Sequence, residues 1–263
     1  MKTRLLYLSL SAVIAAFWAV GAFAQIHTET IEYKQGDTVL EGYLAYDSPS
    51  SARRPGVLII HQWKGLTDYE KMRARMLAEL GYVAFAADIY GKGIRPQTNE
   101  EAMAQVGTYY KDCQLFRSRA LAALERLNKH NLVDTNRVAA IGYCFGGSGA
   151  LELARSGARI NGVVSFHGGL TTPNLEDAKN IKAKVLVLTG ADDPNVPHDQ
   201  VKTFEGEMAN AKVDWQLIAY GGAVHSFTIP IAGNDPSTGS AYNEKADKRS
   251  WEAMKQFFAE IFK

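Results

Sequence analysis

The stretch AAIGYCFGGSGALELA, residues 139–154, decides how the rest of the chain is read. An apolar run of strand character enters a turn crowded with glycine, carries one cysteine through it, and leaves with the spacing of a helix. Cys144 has two readings at this point. It is either a nucleophile exposed by the turn or a small buried residue beside a glycine-rich helix contact.

The same alternation of strand and helix extends in both directions. HTETIEYKQGDTVLEGYLAYD turns at Gly36-Asp37 and reads as a hairpin of two edge-type strands. RRPGVLIIHQWKG is a buried strand closed by a polar loop, TDYEKMRARMLAELGY a helix that stops at Gly81, and YVAFAADIYG the next strand. Residues 99–130 have helical spacing in one or two pieces. Beyond the opening stretch follow INGVVSFHG, KAKVLVLTGADD and VDWQLIAYGG as strands. VPHDQVKTFEGEMANA and the segment SAYNEKADKRSWEAMKQFFAEIFK read as helices. Strands separated by helices require crossover connections, so the expected fold class is α/β, a mostly parallel central sheet with helices on both faces, preceded by an N-terminal β-hairpin.

The chain has 263 residues, 46% of them hydrophobic and 22% charged, enough to bury a full core in one domain. A formal net charge of +1 gives no electrostatic reason to expect nucleic acid or an anionic membrane surface as a partner. The start of the chain is different in kind. Lys2 and Arg4 precede a long apolar run that ends in Ala22-Phe23-Ala24, the pattern of a cleaved export signal. Residues 1–24 are therefore expected to be a signal peptide and residues 25–263 a single domain, periplasmic or secreted, with no stable membrane association after cleavage. An uncleaved anchor is the competing reading, since about 20 apolar residues span a bilayer. In an exported chain Cys113 and Cys144 could also close a disulfide.

In sheets of this kind ligands bind where the strands end. Four polar loops follow buried strands: HQWKG at 61–65, GYCFGG at 142–147, GADDPNVP at 190–197 and GGAVHSF at 221–227. Glycine two before and two after Cys144 matches the nucleophile elbow, with cysteine in place of serine. The turn also sets Cys144 at a helix N-terminus, where the dipole favours a thiolate. Asp193 stands where a carboxylate can orient an imidazole and is preferred to Asp192 because it lies three residues after Gly190 and just before Pro194, although either could cap the helix beginning near Pro197. His225 stands where an imidazole can take the thiol proton. The order nucleophile, acid, histidine is that of the α/β-hydrolase fold. Backbone donors for an oxyanion would then come from Phe145, next to the nucleophile, and from Trp63 in the loop after an early strand. His61 and His167 also follow buried strands, and hydrogen bonding around the site is their expected role. No three-ligand spacing marks a metal site.

With these residues assembled, the chain resembles the dienelactone hydrolase family, the cysteine-using branch of the α/β-hydrolases, from about residue 37 to the C-terminus. GYCFGG, GADDPNVP, GGAVHSF, ADIYGKG and HQWKG carry the resemblance. It implies hydrolysis of a small-molecule ester or lactone by Cys144, His225 and Asp193 through a thioester, without a cofactor. Gln62, Lys92, Tyr90 and His61 are the positions expected to meet substrate. Two departures qualify the likeness. The family usually has glutamate at the position of Gln62, where it helps switch the cysteine on, so a standing thiolate–imidazolium pair is expected here instead. The two family arginines that hold a substrate carboxylate correspond to Lys92 and Ile229; Arg95 could substitute, although an exposed basic loop is the plainer reading of it, and so the substrate need not be a dienelactone. A non-catalytic ligand-binding protein on the same fold is the alternative reading, and a thiol-redox protein a weaker one because no C-x-x-C pair is present.

Overall fold

A computed structural model describes residues 25–49 and 51–263. The expected signal segment, residues 1–24, lies outside the described residues. The hairpin is present: β1 (Ile26–Gln35) and β2 (Thr38–Asp47) pair antiparallel from Gln35 opposite Thr38. The two-residue turn between them places Gly36 at φ +56, a conformation glycine adopts without a Cβ clash. Only β1 is an edge. β2 also pairs antiparallel with β4 (Val83–Ala87) through Tyr43, Leu44 and Ala45, which corrects the expectation of two edge strands.

Six parallel strands complete the sheet, since β4 continues into β3 (Arg54–Ile60), β5 (Val133–Tyr143), β6 (Gly162–Phe166), β7 (Lys184–Gly190) and β8 (Trp215–Tyr220). The spatial order is β1-β2-β4-β3-β5-β6-β7-β8. Strands covered on both faces need apolar side chains on both, which is why VLII and VAFAA read as continuous runs and not as alternations. Leu58 and Ile60 enter one core layer with Phe85 and Ala140; Val57 and Ile59 enter the other with Ala84 and Ile141.

Six α-helices cover the two faces. α1 (Asp68–Glu79) and α6 (Glu244–Ile261) pack Leu77, Met254 and Phe258 into the second layer. α2 (Asn99–Lys111), α3 (Cys113–Asn128), α4 (Phe145–Arg155) and α5 (His198–Ala211) pack Val106, Leu124, Leu151 and Phe204 into the first. The helical stretch 99–130 breaks in two at Asp112, which ends α2 and caps α3 by accepting from Leu115 N at 2.9 Å. No helix of the described residues is long and apolar enough to cross a membrane.

The passage from β5 to α4 is the tightest point of the fold. Cys144 sits alone between strand and helix at φ 54 and ψ −117, and its N–H is held by Phe166 O at 3.0 Å. A Cβ on Gly142 would lie 1.8 Å from Gly146 O, and one on Gly146 would lie 2.1 Å from Ile60 O. Both obstacles are backbone, which cannot rotate away. Gly146→Ala is therefore expected to lower stability by about 1–3 kcal/mol or more through overpacking, read as a reduced urea midpoint, whereas Gly206→Ala, on a helix with nothing within 4 Å of the added methyl, should not.

Candidate active site

Three loops at the carboxyl ends of β5, β7 and β8 bring Cys144, Asp193 and His225 together. His225 Nε2 lies 3.1 Å from Cys144 Sγ, and His225 Nδ1 lies 2.9 Å from Asp193 Oδ2. Each residue is fixed independently. Asp193 follows β7 in a turn closed by Asp193 N to Gly190 O and Val196 N to Asp193 O, and its Oδ1 accepts from Asn195 N at 2.8 Å, leaving Oδ2 for the ring. His225 is clamped through its main chain by the segment 239–241, donating to Gly239 O and accepting from Ala241 N. The neighbouring acid serves the backbone instead, since Asp192 Oδ2 accepts from Gly222 N at 2.9 Å and so holds the turn leading to His225. Neither aspartate caps α5, whose N-cap is Pro197.

Burial by itself would lower the proton affinity of His225. Its hydrogen bonds to Asp193 and Cys144, and the charges of both, outweigh that and raise it to about 10. A ring in this setting can hold a proton at neutral pH while standing within transfer distance of the thiol.

Beneath His225 lies a chain of buried polar groups. His167 is fully buried at φ 40, packs edge-on against His225 with centroids 5.4 Å apart, and makes a 2.7 Å hydrogen bond from Nε2 to Thr228 Oγ1. Thr228 Oγ1 is in turn 2.7 Å from Tyr69 OH, to which Arg73 Nε donates at 3.2 Å; Arg73 also donates to Thr228 O and pairs with Asp247. This chain ties α1, α6 and the histidine loop together. Burial, and then the charge of His225, keep His167 far below the usual histidine range.

The loop after β3 is built just as tightly. His61 is fully buried, with Nδ1 2.7 Å from Gln62 O and Nε2 accepting from Ile89 N at 3.2 Å, so its neutral tautomer carries the proton on Nδ1. Gly65 N donates to the same Gln62 carbonyl at 3.1 Å. Because the peptide is trans, fixing Gln62 O on one side aims the Trp63 N–H to the other. Tyr90 OH donates to Trp63 O at 2.9 Å, and Gln62 N donates to Glu70 Oε1 at 3.1 Å. The Phe145 N–H, first in α4, has no intrahelical acceptor.

These placements correct four expectations. His61 spends both ring nitrogens inside the loop and has no surface to offer a substrate. Tyr90 is 3% exposed and its hydroxyl holds the Trp63 carbonyl. Gln62 is 4% exposed and its main chain is what the loop uses. Lys92 lies toward the hairpin, where its ammonium pairs with Glu32 and Glu41. Arg95 is spent as well, donating to Leu66 O and facing Asp88 at 3.5 Å, and Ile229 is buried. Cys113 and Cys144 are free thiols. Burial and the adjacent Glu152 carboxylate push the Cys113 thiol up to about 12.

One supporting residue escaped the sequence reading. Glu70 is completely buried on α1 and accepts from Gln62 N, Thr67 N and Thr67 Oγ1. The signal was there: T-D-Y-E at 67–70 is a capping box. Its second use, as an anchor for the Trp63 loop, depends on tertiary placement.

Fold and site together define an α/β-hydrolase. Residues 40–262 match the model of the dienelactone hydrolase family, and the chain belongs to that family, whose members are ester and lactone hydrolases. Among solved structures it is similar to a dienelactone hydrolase-like promiscuous phosphotriesterase from metagenomic libraries, with 42% identity and a TM-score of 0.86 over 90% of this chain and 99% of that one. The structure named m3DLH is 41% identical with a TM-score of 0.87, again over 90% and 99% of the two chains. A curated relative from Bradyrhizobium sp, "Probable 2-oxo-3-(5-oxofuran-2-ylidene)propanoate lactonase", is 29% identical over 76% of this chain and 86% of its own.

The buried histidines make stability depend on pH. Burial lowers His61 to about 4, with Asp88 opposing, against about 6.5 in an unfolded chain. Below 6.5 the unfolded state takes up a proton that the folded state refuses, so His61 costs stability increasingly as pH falls toward 4. The destabilisation caused by His61→Asn should therefore shrink by about 2–3 kcal/mol between pH 7 and pH 4, as read by urea unfolding of wild type and variant at each pH.

Proposed function

We propose that the chain hydrolyses an ester or lactone of a small molecule with Cys144 as nucleophile, His225 as proton carrier and Asp193 as the group that orients His225. The observation carrying this reading is the imidazole poised between thiol and carboxylate, 3.1 Å from one and 2.9 Å from the other. At rest the raised proton affinity of His225 favours an imidazolium facing the sulfur. The sulfur attacks the carbonyl carbon, and the carbonyl oxygen takes the negative charge opposite the Trp63 and Phe145 N–H groups. His225 gives its proton to the departing alkoxide, leaving a thioester on Cys144. Water, losing a proton to the now neutral His225, attacks the thioester and releases the carboxylic acid with the thiol restored.

The second half of the cycle has its own electrostatics. Once Cys144 is acylated its charge is gone, and two of the influences that raise His225, the Cys144 hydrogen bond and the Cys144 charge, go with it. The ring becomes a weaker acid-holder and a ready base at the step that needs one. Deacylation, followed as decay of a preformed acyl-enzyme, should rise with pH through an apparent value below 10 and level off above it.

Cys144→Ala is expected to lower turnover roughly 10⁴-fold with an unchanged circular dichroism spectrum, and Asp193→Asn by about 10²–10⁴-fold. Mass spectrometry after brief exposure to an activated ester should show one acyl group on Cys144. Bound ligand with an unmodified thiol would instead favour the non-catalytic alternative. A phosphotriester belongs in the substrate panel because the 42% identical relative is named for that activity. Residues 1–24 are assigned to export, and the expected N-terminus of the mature protein recovered from the periplasm or medium is Gln25.

A further inference from the structure

One helical turn along α4 from Cys144 the surface opens into a cleft of about 300 Å³. The break at Asp112 shapes it, because it lets the end of α2 and the start of α3 present Tyr110 and Phe116 to the same hollow. The cleft is joined to the nucleophile through Ser148, whose N–H reaches Cys144 O at 3.3 Å and whose hydroxyl lies 3.2 Å from Tyr110 OH and donates to Gly169 O at 2.9 Å. Tyr110, itself half exposed, leans on Phe145, the residue after Cys144, with ring centroids 5.9 Å apart. Thr171, Thr172 and Pro173, in the loop after β6, form the facing wall.

The floor is acidic and fully committed. Glu152 Oε2 accepts from Cys113 Sγ and Arg117, and Oε1 accepts from Arg155 at 2.9 Å. Arg117 pairs also with Asp177, and Arg155 with Glu207. Two guanidinium groups thus serve three carboxylates, and neither has a charge to spare. Among the described residues lining the cleft there is no lysine, arginine or histidine. Lys64, in the Trp63 loop, lies outside this lining with its ammonium over the Trp63 ring, 5.1 Å from the centroid. The walls offer aromatic faces and hydroxyls, and Thr172 Oγ1 is buried without a hydrogen-bond partner among the described residues.

We propose that this cleft is the substrate subsite beyond the scissile bond and that it selects an uncharged aromatic or apolar substituent, bearing at most a neutral polar group for Thr172, over one carrying a carboxylate. The proposal rests on the hydrolase reading above. A ring entering the cleft gains contact with Tyr110 and Phe116. An anion would lose its hydration facing Glu152, with no counter-charge to replace it.

The test uses the protein as recovered from the expressing cells, with methyl 4-phenylbutanoate and 4-phenylbutyl acetate placing the ring on the acyl or the alcohol side, methyl acetate as the small reference, and the para-carboxylate counterpart of each aromatic ester. Wild type should favour the uncharged ester over its carboxylate counterpart by about tenfold or more in kcat/KM. Thr172→Trp, or Thr171→Trp at an exposed position should the first fold poorly, fills the cleft. Either should lower the ratio of kcat/KM for a ring-bearing ester to that for methyl acetate about tenfold in at least one of the two series. Ratios within about twofold of wild type in both series for a folded variant, or equal or better use of the carboxylate esters, overturn the proposal. Calorimetric binding of 4-phenylbutanamide to Cys144→Ala reads the cleft without turnover: weaker binding after Thr172→Trp supports the subsite even if no ester is cleaved, and unchanged or undetectable binding counts against it. Loss of all ester cleavage by wild type with that binding intact would strike the hydrolase reading alone.

Discussion

The structure depends on one close approach: the backbone of α4 pressed against the ends of β3 and β5 with no side chain between them. Gly146 meets the Ile60 carbonyl and Gly142 meets Gly146, each at a separation that excludes a methyl group. That contact leaves the chain a single residue in which to pass from strand to helix, and Cys144 takes the turn at positive φ. For a non-glycine residue this conformation is unfavourable and persists only where its surroundings hold it. Here they do so through Cys144 N on Phe166 O and the first bonds of α4 on Cys144 O. The same contact sets β3 beside β5, so the loop leaving Ile60 necessarily arrives next to the cysteine.

A second layer of polar groups makes those loops rigid enough to matter. Burying a carboxylate such as Glu70 is costly, and burial raises its proton affinity, while three donors from Gln62 and Thr67 oppose that effect. On the opposite flank the His167–Thr228–Tyr69–Arg73–Asp247 chain anchors the histidine loop to two helices. Apolar packing would hold these loops as strongly, but it is indifferent to direction. Hydrogen bonds fix the angle of a peptide plane, which is what an amide aimed at a developing charge requires. His167 at φ 40 and Ser226 at φ 60 show that the backbone is held out of its ordinary range on both sides of the site.

Much of this was legible in the sequence. The elbow is a local pattern, since glycines two before and two after a nucleophile report a steric demand that no other residue meets. Asp193 and His225 could be placed because each ends a buried strand, and in a parallel sheet all such ends share one edge. The choice between Asp192 and Asp193 was harder, because adjacent acids on a turn point in different directions and only the fold tells which meets the ring. Sequence position misled at Tyr90 and Lys92, and at His61 it gave the hydrogen bonding correctly and the contact with substrate wrongly. Standing after a strand brings a residue to the correct edge of the sheet but does not say whether its side chain faces the cleft or turns inward. His61 and Tyr90 turned inward to hold the Trp63 loop, and Lys92 turned to the acids of the hairpin. Glu70 was visible as a helix cap and invisible as a loop anchor for the same reason.

The Cys144–His225–Asp193 cluster and the cleft beside it are thereby built by different parts of the molecule. Cys144, Asp193 and His225 follow strand ends whose positions the sheet dictates, whereas the cleft beside them is made from the α2–α3 break and the loop after β6. Asp112 and the Thr171–Pro173 loop take no part in the pairing of β5, β7 or β8. The cations follow the same division: Lys92, Arg95, Arg117 and Arg155 are each tied to carboxylates that stabilise loops and helices. A substitution in the cleft can therefore change its lining while the elbow glycines and the His225 clamp stay as they are.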